Sequence, residues 1–268
     1  MTSSEKAMAR IMGYRYRQEY LREIADLIPT NASLILDAGC GVGSLTALIN
    51  QQMVSTRVVE LDLSRYMLTH QLKETVEQNI TLIQALMPEF PFKSESFDAV
   101  VAVQSLSEIL CFSGRDALFI TIDEIHDLLR EGGVFVIMDH QNPGDELVDV
   151  KFKDQMLSQL DRFQKSFEYR PFRFEVLDDV WVRMTKRDFY EFITKIWAFN
   201  TPLEKEEMQE THTPFSGEEL AAILEEHEFS IDCVSGTVPF ENYLKRFKVR
   251  VRPKQKLPER FFILKAFK

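Results

Sequence analysis

The sequence predicts an α/β fold in which a parallel sheet is covered by helices on both faces, the doubly wound class. Short apolar runs alternate with segments of helical spacing from residue 33 to residue 139. Several of these runs, such as LILDAG and FDAVVAV, are apolar at successive positions. A strand that is buried on both faces has this composition, because helices then cover the sheet on each side.

Each element has its own signal along the chain. Residues 14–28 show helical spacing up to Pro29, and the two glycines after Glu131 are placed to stop the helix over 115–130. The predicted strands are LILDAG, RVVELDL, ITLIQA, FDAVVAV and VFVIMD. The helices between them are SLTALINQQM, RYMLTHQLKETVEQ and RDALFITIDEIHDLLR.

The regular alternation of strands and helices ends after the fifth strand. Residues 141–212 hold 12 of the 30 aromatic residues, and the segments LVDVKFKDQMLSQLDRFQKSF and KRDFYEFITKIWAF have helical spacing. A strand or a pair of strands is expected around FRFEVLDDVWVRM. We therefore predict a core at 1–140 that begins with a helix, a mainly helical, aromatic-rich cap or lid at 141–212, and closing elements at 213–268. These closing elements are the helix SGEELAAILEEHEF and the strands FSIDCVSGTV and RFFILKAFK.

The composition excludes several classes of protein. The chain has 268 residues, of which 45% are apolar and 28% charged, and this fraction is enough for a core. No apolar run approaches the ~18 residues that cross a bilayer, and no secretory signal is visible, so we expect a cytoplasmic protein. The three cysteines are far apart, without a CxxC pair, which predicts neither a disulfide framework nor a metal site.

Charge is unevenly distributed along the chain. The formal net charge is −10, yet residues 245–268 contain ten Lys or Arg residues and one acid. An acidic body disfavours non-specific binding of nucleic acid, whereas the basic segment could attract an anionic group. We favour the simpler interpretation, in which KRFKVRVR is a strand with Phe247, Val249 and Val251 facing the core.

One motif indicates chemistry. The segment DAGCGVG lies at a strand-to-helix turn, where glycines allow positive φ and let a ligand approach the backbone. Asp62 ends the next strand, 23 residues after Gly39. A carboxylate at that position can accept hydrogen bonds from both hydroxyls of a ribose. The spacing G-x-G-x-G differs from the dinucleotide fingerprint, and no phosphate-loop G-K-[ST] follows.

Three segments together resemble the class I S-adenosylmethionine (SAM)-dependent methyltransferases: DAGCGVG, VVELDLSRYML and the run PFKSESFDAVV. The resemblance covers about residues 30–140 and implies a Rossmann-like sheet, SAM as cofactor and S-adenosylhomocysteine as product. It implies that Asp62 holds the ribose and Leu63 packs on the adenine. It also implies contacts with the methionine part of SAM from Asp37, from the backbone of Ala38, Gly39 and Gly41, and from Gln104.

The sequence departs from the family pattern at one position. The family often has an aspartate after the third strand that holds the adenine amino group, and Leu86 occupies that position here. The adenine would then depend on the backbone near Met87 and on apolar stacking.

The acceptor of the methyl group is predicted less directly. His140 follows the fifth strand and is the first candidate for a general base, and Glu108 is the second, although many methyl transfers need no base. His140 could instead bind a backbone carbonyl, and Glu108 could cap a helix. No N-P-P-Y or D-P-P-Y follows the fourth strand, which disfavours acceptor amino groups of nucleic acids or proteins.

We expect the aromatic-rich segment 141–212 to form a lid over the substrate pocket, and such a lid favours a small-molecule acceptor. A protein or RNA acceptor on the basic segment and a non-catalytic SAM-binding protein stay open. Exposed aromatic residues of the lid could also form a homodimer interface.

Overall fold

The computed structural model describes residues 2–15, 19–70, 79–178, 180–252 and 257–268. The helices are α1 Ser3–Arg15, α2 Glu19–Leu27, α3 Ser44–Gln52, α4 Arg65–Thr69, α5 Leu106–Ser113, α6 Arg115–Leu128, α7 Asp154–Ser166, α8 Lys186–Lys195, α9 Glu204–Gln209, α10 Gly217–Glu226 and α11 Glu241–Phe247. The strands are β1 Leu34–Ala38, β2 Arg57–Asp62, β3 Ile80–Gln84, β4 Phe97–Val103, β5 Leu129–His140, β6 Leu147–Lys151, β7 Glu175–Val176, β8 Trp181–Thr185, β9 Ser230–Thr237, β10 Arg250–Arg252 and β11 Phe261–Phe267.

The predicted doubly wound sheet is confirmed. Seven strands lie in the order β3-β2-β1-β4-β5-β11-β9, and the four pairs among the first five strands are parallel. The strand order reverses between β1 and β4, and open α/β sheets bind ligands at the carboxyl ends of the strands at such a point. Ile35, Leu36, Val100 and Phe135 are fully buried, as strands covered by helices on both faces require.

Two predicted helices extend outside the described residues. The helix expected over 14–28 corresponds to the end of α1 and to α2, and residues 16–18 between them lie outside the described part. The helix expected over 65–78 begins as α4, and residues 71–78 also lie outside it. Within the described residues, no helix combines the length and the apolar composition that a membrane span requires.

The chain divides into two compact units. Unit 1 contains residues 1–139, 217–235 and 263–268, and unit 2 contains residues 140–216 and 236–262. This grouping differs from the predicted division, in which all of 213–268 closes the core. Residues 236–262 belong to unit 2 because β10 pairs with β6, and because Phe240, Val249 and Leu257 are buried in the unit 2 core.

Unit 2 is less helical than the sequence predicts. It contains a four-stranded sheet in the order β10-β6-β8-β7, whose pairs are antiparallel. The helical prediction for 147–151 is wrong, because Val148 and Val150 alternate with more exposed residues and both are fully buried. Helical spacing begins only with α7, and five residues are too few to separate the two periods.

The basic segment is also only partly a strand. α11 ends at Phe247, Lys248 adopts a left-handed conformation at φ 54°, and β10 follows. The predicted inward side chains are confirmed, since Val249 is buried and Phe247 and Val251 pack against the aromatic core of unit 2. That core contains Phe152, Phe163, Phe172, Phe189, Tyr190 and Phe192, so most aromatic residues of the insertion are buried in the core of unit 2.

Candidate functional site

The glycine-rich turn between β1 and α3 is held in place by β2. Gly39, Gly41 and Gly43 have φ of 82°, 55° and 72°, which other residues rarely adopt. The amides of Gly39 and Cys40 donate to the Leu61 carbonyl at 2.8 and 3.1 Å. A Cβ on Gly39 would lie only 2.6 Å from the Ser105 Cβ, so this position requires glycine for its φ and for its packing.

Asp62 lies at the carboxyl end of β2, where two amides orient its carboxylate. Oδ2 accepts a hydrogen bond from Gly41 N at 2.9 Å, and Oδ1 accepts one from Ser64 N at 2.7 Å. Burial raises the pKa of Asp62, and the amides of Ser64 and Gly41 oppose that rise by stabilising the charged form. Each oxygen keeps acceptor capacity for a further donor.

A second turn, after β4, lies beside the glycine-rich turn. Gln104 has φ 57°, and its amide donates to the Met138 carbonyl at 2.7 Å. The Ser105 hydroxyl donates to the Ala38 carbonyl at 2.9 Å, and Asp139 Oδ2 accepts from Ser107 N at 3.0 Å. These bonds connect the carboxyl ends of β1, β4 and β5 within unit 1.

Two buried carboxyl groups lie beneath the glycine-rich turn. Asp37 and Glu60 are register partners on β1 and β2, exposed by 2% and 0%. Burial raises the pKa of Asp37 to about 7, and the charge of Asp62 adds to this, while the Thr46 hydroxyl donates to Asp37 Oδ2 at 2.9 Å and lowers it. Burial raises the pKa of Glu60 to about 8, and the charge of Asp37 contributes further.

Sequence analysis did not identify Glu60 as a site residue. Neither of its carboxyl oxygens accepts a hydrogen bond from the residues that the structure describes. The available signal was an acidic residue inside the apolar run RVVELDL, and the structure buries its side chain completely. Cys40 is close to these acids, and burial and their charges raise the pKa of its thiol, which disfavours a role as nucleophile.

Comparison with known proteins identifies this arrangement. Residues 36–137, from β1 to β5, match the model of a methyltransferase domain family. An S-adenosylmethionine-dependent methyltransferase from Mesorhizobium loti has the same fold with a TM-score of 0.57 and 18% identity, covering 92% of this chain and 96% of that one. Residues 36–137 are thus similar to the methyltransferase domain family, and the solved structure shows that the fold is shared. The family and its cofactor, SAM, thus agree with the resemblance in the sequence.

Other relatives show how varied the family is. A Burkholderia thailandensis 1,6-didemethyltoxoflavin-N1-methyltransferase, solved with that compound and S-adenosylhomocysteine, has a TM-score of 0.56 and 18% identity, covering 99% of this chain and 86% of that one. A Haloferax volcanii complex of the Trm112 methyltransferase activator with a methyltransferase has a TM-score of 0.60 at 12% identity, covering 98% and 95%.

A curated human protein is similar in sequence over part of the chain. It is the mitochondrial arginine-hydroxylase NDUFAF5, which is 31% identical over 128 residues. The match covers 44% of this chain and 34% of that protein, so the chain spans about a third of the length of this curated relative.

The described residues of unit 1 fit the methyltransferase cofactor. Asp62 offers two oriented oxygens, and Leu63 beside it is 60% exposed, so it is accessible to a ligand. Leu86 is 45% exposed, and the Met87 Cε lies 3.6 Å from where a Cβ on Gly39 would be. An apolar surface therefore adjoins the oriented carboxylate, as an adenosyl group requires.

The two candidate bases lie in different units. His140 is 5% exposed in unit 2, and its ring stacks on the His212 ring with centroids 4.2 Å apart and planes at 7°. Glu108 is exposed in the first turn of α5 in unit 1. The sequence analysis missed His212, which is distant from His140 in the chain and close to it in the fold.

Proposed function

We propose that the chain transfers the methyl group of SAM to a small-molecule acceptor and releases S-adenosylhomocysteine. The observation that carries this proposal is the geometry of Asp62. Its carboxylate is oriented by the Gly41 and Ser64 amides at the carboxyl end of β2, next to a turn that requires glycine at position 39. When bound, SAM supplies an electrophilic methyl group on a sulfonium, and the protein has to bind it, orient it and admit an acceptor.

We assign the cofactor contacts within unit 1. The Asp62 carboxylate accepts hydrogen bonds from the ribose hydroxyls, and Leu63 packs on the adenine. The adenine edge meets the backbone near Met87, in place of an aspartate at position 86. The methionine part of SAM lies along the backbone of Ala38, Gly39 and Gly41, with Gln104 beside it.

Asp37 has a supporting role in this proposal. The Asp37 carboxyl is buried and accepts a hydrogen bond from the Thr46 hydroxyl. Its negative charge therefore acts on the cofactor electrostatically, across the glycine-rich turn. The positive charges of the sulfonium and of the amino group favour ionised Asp37 and Glu60. We therefore expect cofactor affinity to rise with pH through the range in which these two acids ionise.

We assign acceptor recognition and proton removal to residues outside the glycine-rich turn. His140 is the preferred general base, because a neutral imidazole accepts a proton near pH 7 and the stack on His212 limits its ring orientations. Glu108 is the second candidate. The small-molecule acceptor is supported by the absence of an N-P-P-Y or D-P-P-Y motif after β4 and by the aromatic composition of unit 2.

The test uses SAM with a labelled methyl group, the purified protein and a size-fractionated extract of its source cells. Label in a low-mass product supports the proposal and makes that product available for identification. The matched control is Asp62→Ala, which should lower labelling at limiting SAM about tenfold or more. If the label appears only in macromolecules, the acceptor class in this proposal is wrong.

A second candidate is modification of an arginine side chain on a protein or peptide. The similarity to the human arginine-hydroxylase favours it, and so do Lys245, Arg246, Lys248 and Arg250, which are exposed on α11 and at the start of β10 and could attract an acidic partner. Mass spectrometry of the macromolecular fraction separates the two chemistries, because methylation adds a CH₂ group and hydroxylation adds an oxygen atom. Binding of SAM without any labelled product would instead indicate a non-catalytic SAM-binding protein.

A further inference from the structure

A group of buried polar residues in unit 2 lies apart from the cofactor residues assigned above. It consists of Lys195 at the end of α8, Glu207 in α9, and Glu210 and His212 just after α9, and we call it the polar cluster. The side chains of Lys195, Glu207 and His212 are exposed by 0%, 2% and 6%, and that of Glu210 by 17%. Charged groups at this depth require compensation from their neighbours.

The three acceptor groups of the cluster converge on one point. His212 Nε2 lies 3.4 Å from Glu207 Oε2 and 3.4 Å from Glu210 Oε1, and all three atoms lie within 4.8 Å of one another. Metal–ligand bonds of about 2.0–2.2 Å separate neighbouring ligands of one ion by about 3–3.5 Å. These distances are long for direct hydrogen bonds and suitable for ligands around a shared cation.

Hydrogen bonds on the other side of the imidazole show which nitrogen faces the carboxylates. The Thr194 hydroxyl donates to the Tyr190 carbonyl at 2.6 Å, so its oxygen is the acceptor for His212 Nδ1 at 3.1 Å. A neutral ring that donates from Nδ1 carries its lone pair on Nε2. That nitrogen faces the Glu207 and Glu210 oxygens, so one cation could take all three atoms as ligands. A hydrogen bond on the remaining ring nitrogen is also the usual support for a metal-binding histidine.

Lys195 borders the same point. Its Nζ donates to the Glu207 carbonyl at 2.6 Å and lies 3.5 and 3.6 Å from Glu207 Oε2 and Glu210 Oε1. Glu191 is fully buried beside the cluster, where it accepts hydrogen bonds from the His212 amide and from the Thr213 hydroxyl. The ammonium lies beyond the usual hydrogen-bond distance of the Glu207 and Glu210 oxygens, so a cation at the convergence point would bind them more closely than Lys195 does.

Glu207 supplies a further indication. Its Oε2 is completely enclosed, and within the described ranges of the chain no donor makes a hydrogen bond to it. The Lys195 ammonium forms only a long ion pair with it at 3.5 Å, and a cation in direct contact would compensate this buried oxygen better. This oxygen faces His212 Nε2, which places it at the convergence point.

We propose that Glu207, Glu210 and His212 bind one divalent cation of the first transition row, such as Zn²⁺, Mn²⁺ or Fe²⁺. Mixed imidazole and carboxylate ligands favour these ions over Mg²⁺ and Ca²⁺, which prefer oxygen alone. The ion holds α9 and the segment after it against α8, and it fixes the ring of His212 on which His140 stacks. In sequence the site has the pattern E-x-x-E-x-H, which contains no cysteine and so lacks the CxxC signal of a zinc site.

The experiment measures metal content and thermal stability, neither of which depends on methyl transfer. The full chain is purified without an affinity tag, and its metals are quantified by plasma mass spectrometry. The protein is then stripped with a chelator and titrated separately with Zn²⁺, Mn²⁺, Fe²⁺, Mg²⁺ and Ca²⁺. We expect about one equivalent of one transition ion, and a melting temperature higher by roughly 5–10 °C at a hundredfold excess over Kd.

Variants locate the site. Glu207→Gln should weaken the binding of that ion by about 100-fold or more, and Thr194→Val, which removes the support of His212, by about 10–100-fold. Glu206→Gln is the matched control, because Glu206 is the neighbouring residue of α9 and is exposed. If the stripped protein binds none of these ions, or if Glu206→Gln and Glu207→Gln bind the ion equally well, the proposal is wrong.

Discussion

Asp37 and Glu60 lie side by side on β1 and β2, and both carboxyl groups are buried beneath the glycine-rich turn. Burial raises the pKa of both groups, and the Thr46 hydroxyl opposes that rise. The free energy of unfolding therefore depends on pH in a direction opposite to that of an ordinary ion-paired carboxylate.

Glu60→Gln should make the protein more stable at alkaline pH. Burial raises the pKa of Glu60 from 4.5 to about 8, so between these values the folded state holds a proton that the unfolded state has lost. The free energy of unfolding of the native chain then falls as pH rises through this window. Because each pKa unit corresponds to about 1.4 kcal/mol, the advantage of the variant should reach a few kcal/mol by pH 9. Chemical denaturation from pH 5 to 9 tests this, with exposed Glu23→Gln as control, and parallel profiles would contradict it.

Asp98→Asn should destabilise the protein at neutral pH and lose that effect in acid. Burial raises the pKa of Asp98, but the Ser33 hydroxyl, Arg130 and the amides of Ser33 and Leu34 outweigh it and lower the pKa to about 2. Its stabilising effect is present above pH 4 and disappears as pH falls towards 2. We expect a loss of about 1–2 kcal/mol at pH 7. Exposed Asp26→Asn is the control, and an equal loss at every pH would refute the assignment.

Gly39→Ala should destabilise the fold and abolish SAM binding. The added Cβ would lie 2.6 Å from the Ser105 Cβ at a φ of 82°, and we expect a cost of about 2–4 kcal/mol. Gly144→Ala separates the backbone strain of a positive φ from the steric overlap with Ser105. Gly144 also has φ 84°, but a Cβ there would contact nothing within 4 Å. Thermal melts should show the smaller loss for Gly144→Ala. Because Ser105→Gly also removes the hydrogen bond to Ala38, the comparison is made within one background: Gly39→Ala should cost less in the Ser105→Gly protein than in the native chain, and an equal cost in both would contradict steric overlap.

Asp62→Ala should weaken SAM binding at least tenfold, about 1.4 kcal/mol, because the ribose loses its acceptor. Calorimetric titration measures the affinity, and a thermal melt checks that the turn held by Gly41 and Ser64 is still folded. Exposed Asp26→Ala serves as control. Unchanged affinity in a folded Asp62→Ala protein would show that another residue binds the ribose.

His140→Phe should lower kcat by about 100-fold and leave the affinity for SAM unchanged, if His140 is the general base. Phenylalanine preserves an aromatic ring against His212 and removes the proton acceptor. His126→Phe is the matched control, since His126 is half-buried on α6. Steady-state rates with the identified acceptor give the answer. An undiminished kcat would mean that transfer proceeds without this base.

Much of unit 1 could be predicted from the sequence because its signals are local. The strands of residues 33–139 are continuous apolar runs, and the glycines and Asp62 stand at fixed distances along the chain. Short elements were harder to predict. β6 has only five residues, and the helical spacing of α7 follows it after two residues, so the two periods merge in sequence. α11 and β10 are also short and adjacent, so the basic segment that contains parts of both was predicted as one strand.

The sequence alone determined the doubly wound class, the glycine-rich turn and the carboxylate at the end of β2, since backbone freedom and hydrophobic period are properties of neighbouring residues. Only the tertiary structure decided that Glu60 lies against Asp37, that His140 stacks on His212, and that His212 meets Glu207 and Glu210. These relationships join residues from different elements. They exist because strand register and helix packing bring distant segments together, and burial then makes the charge of each group depend on its neighbours.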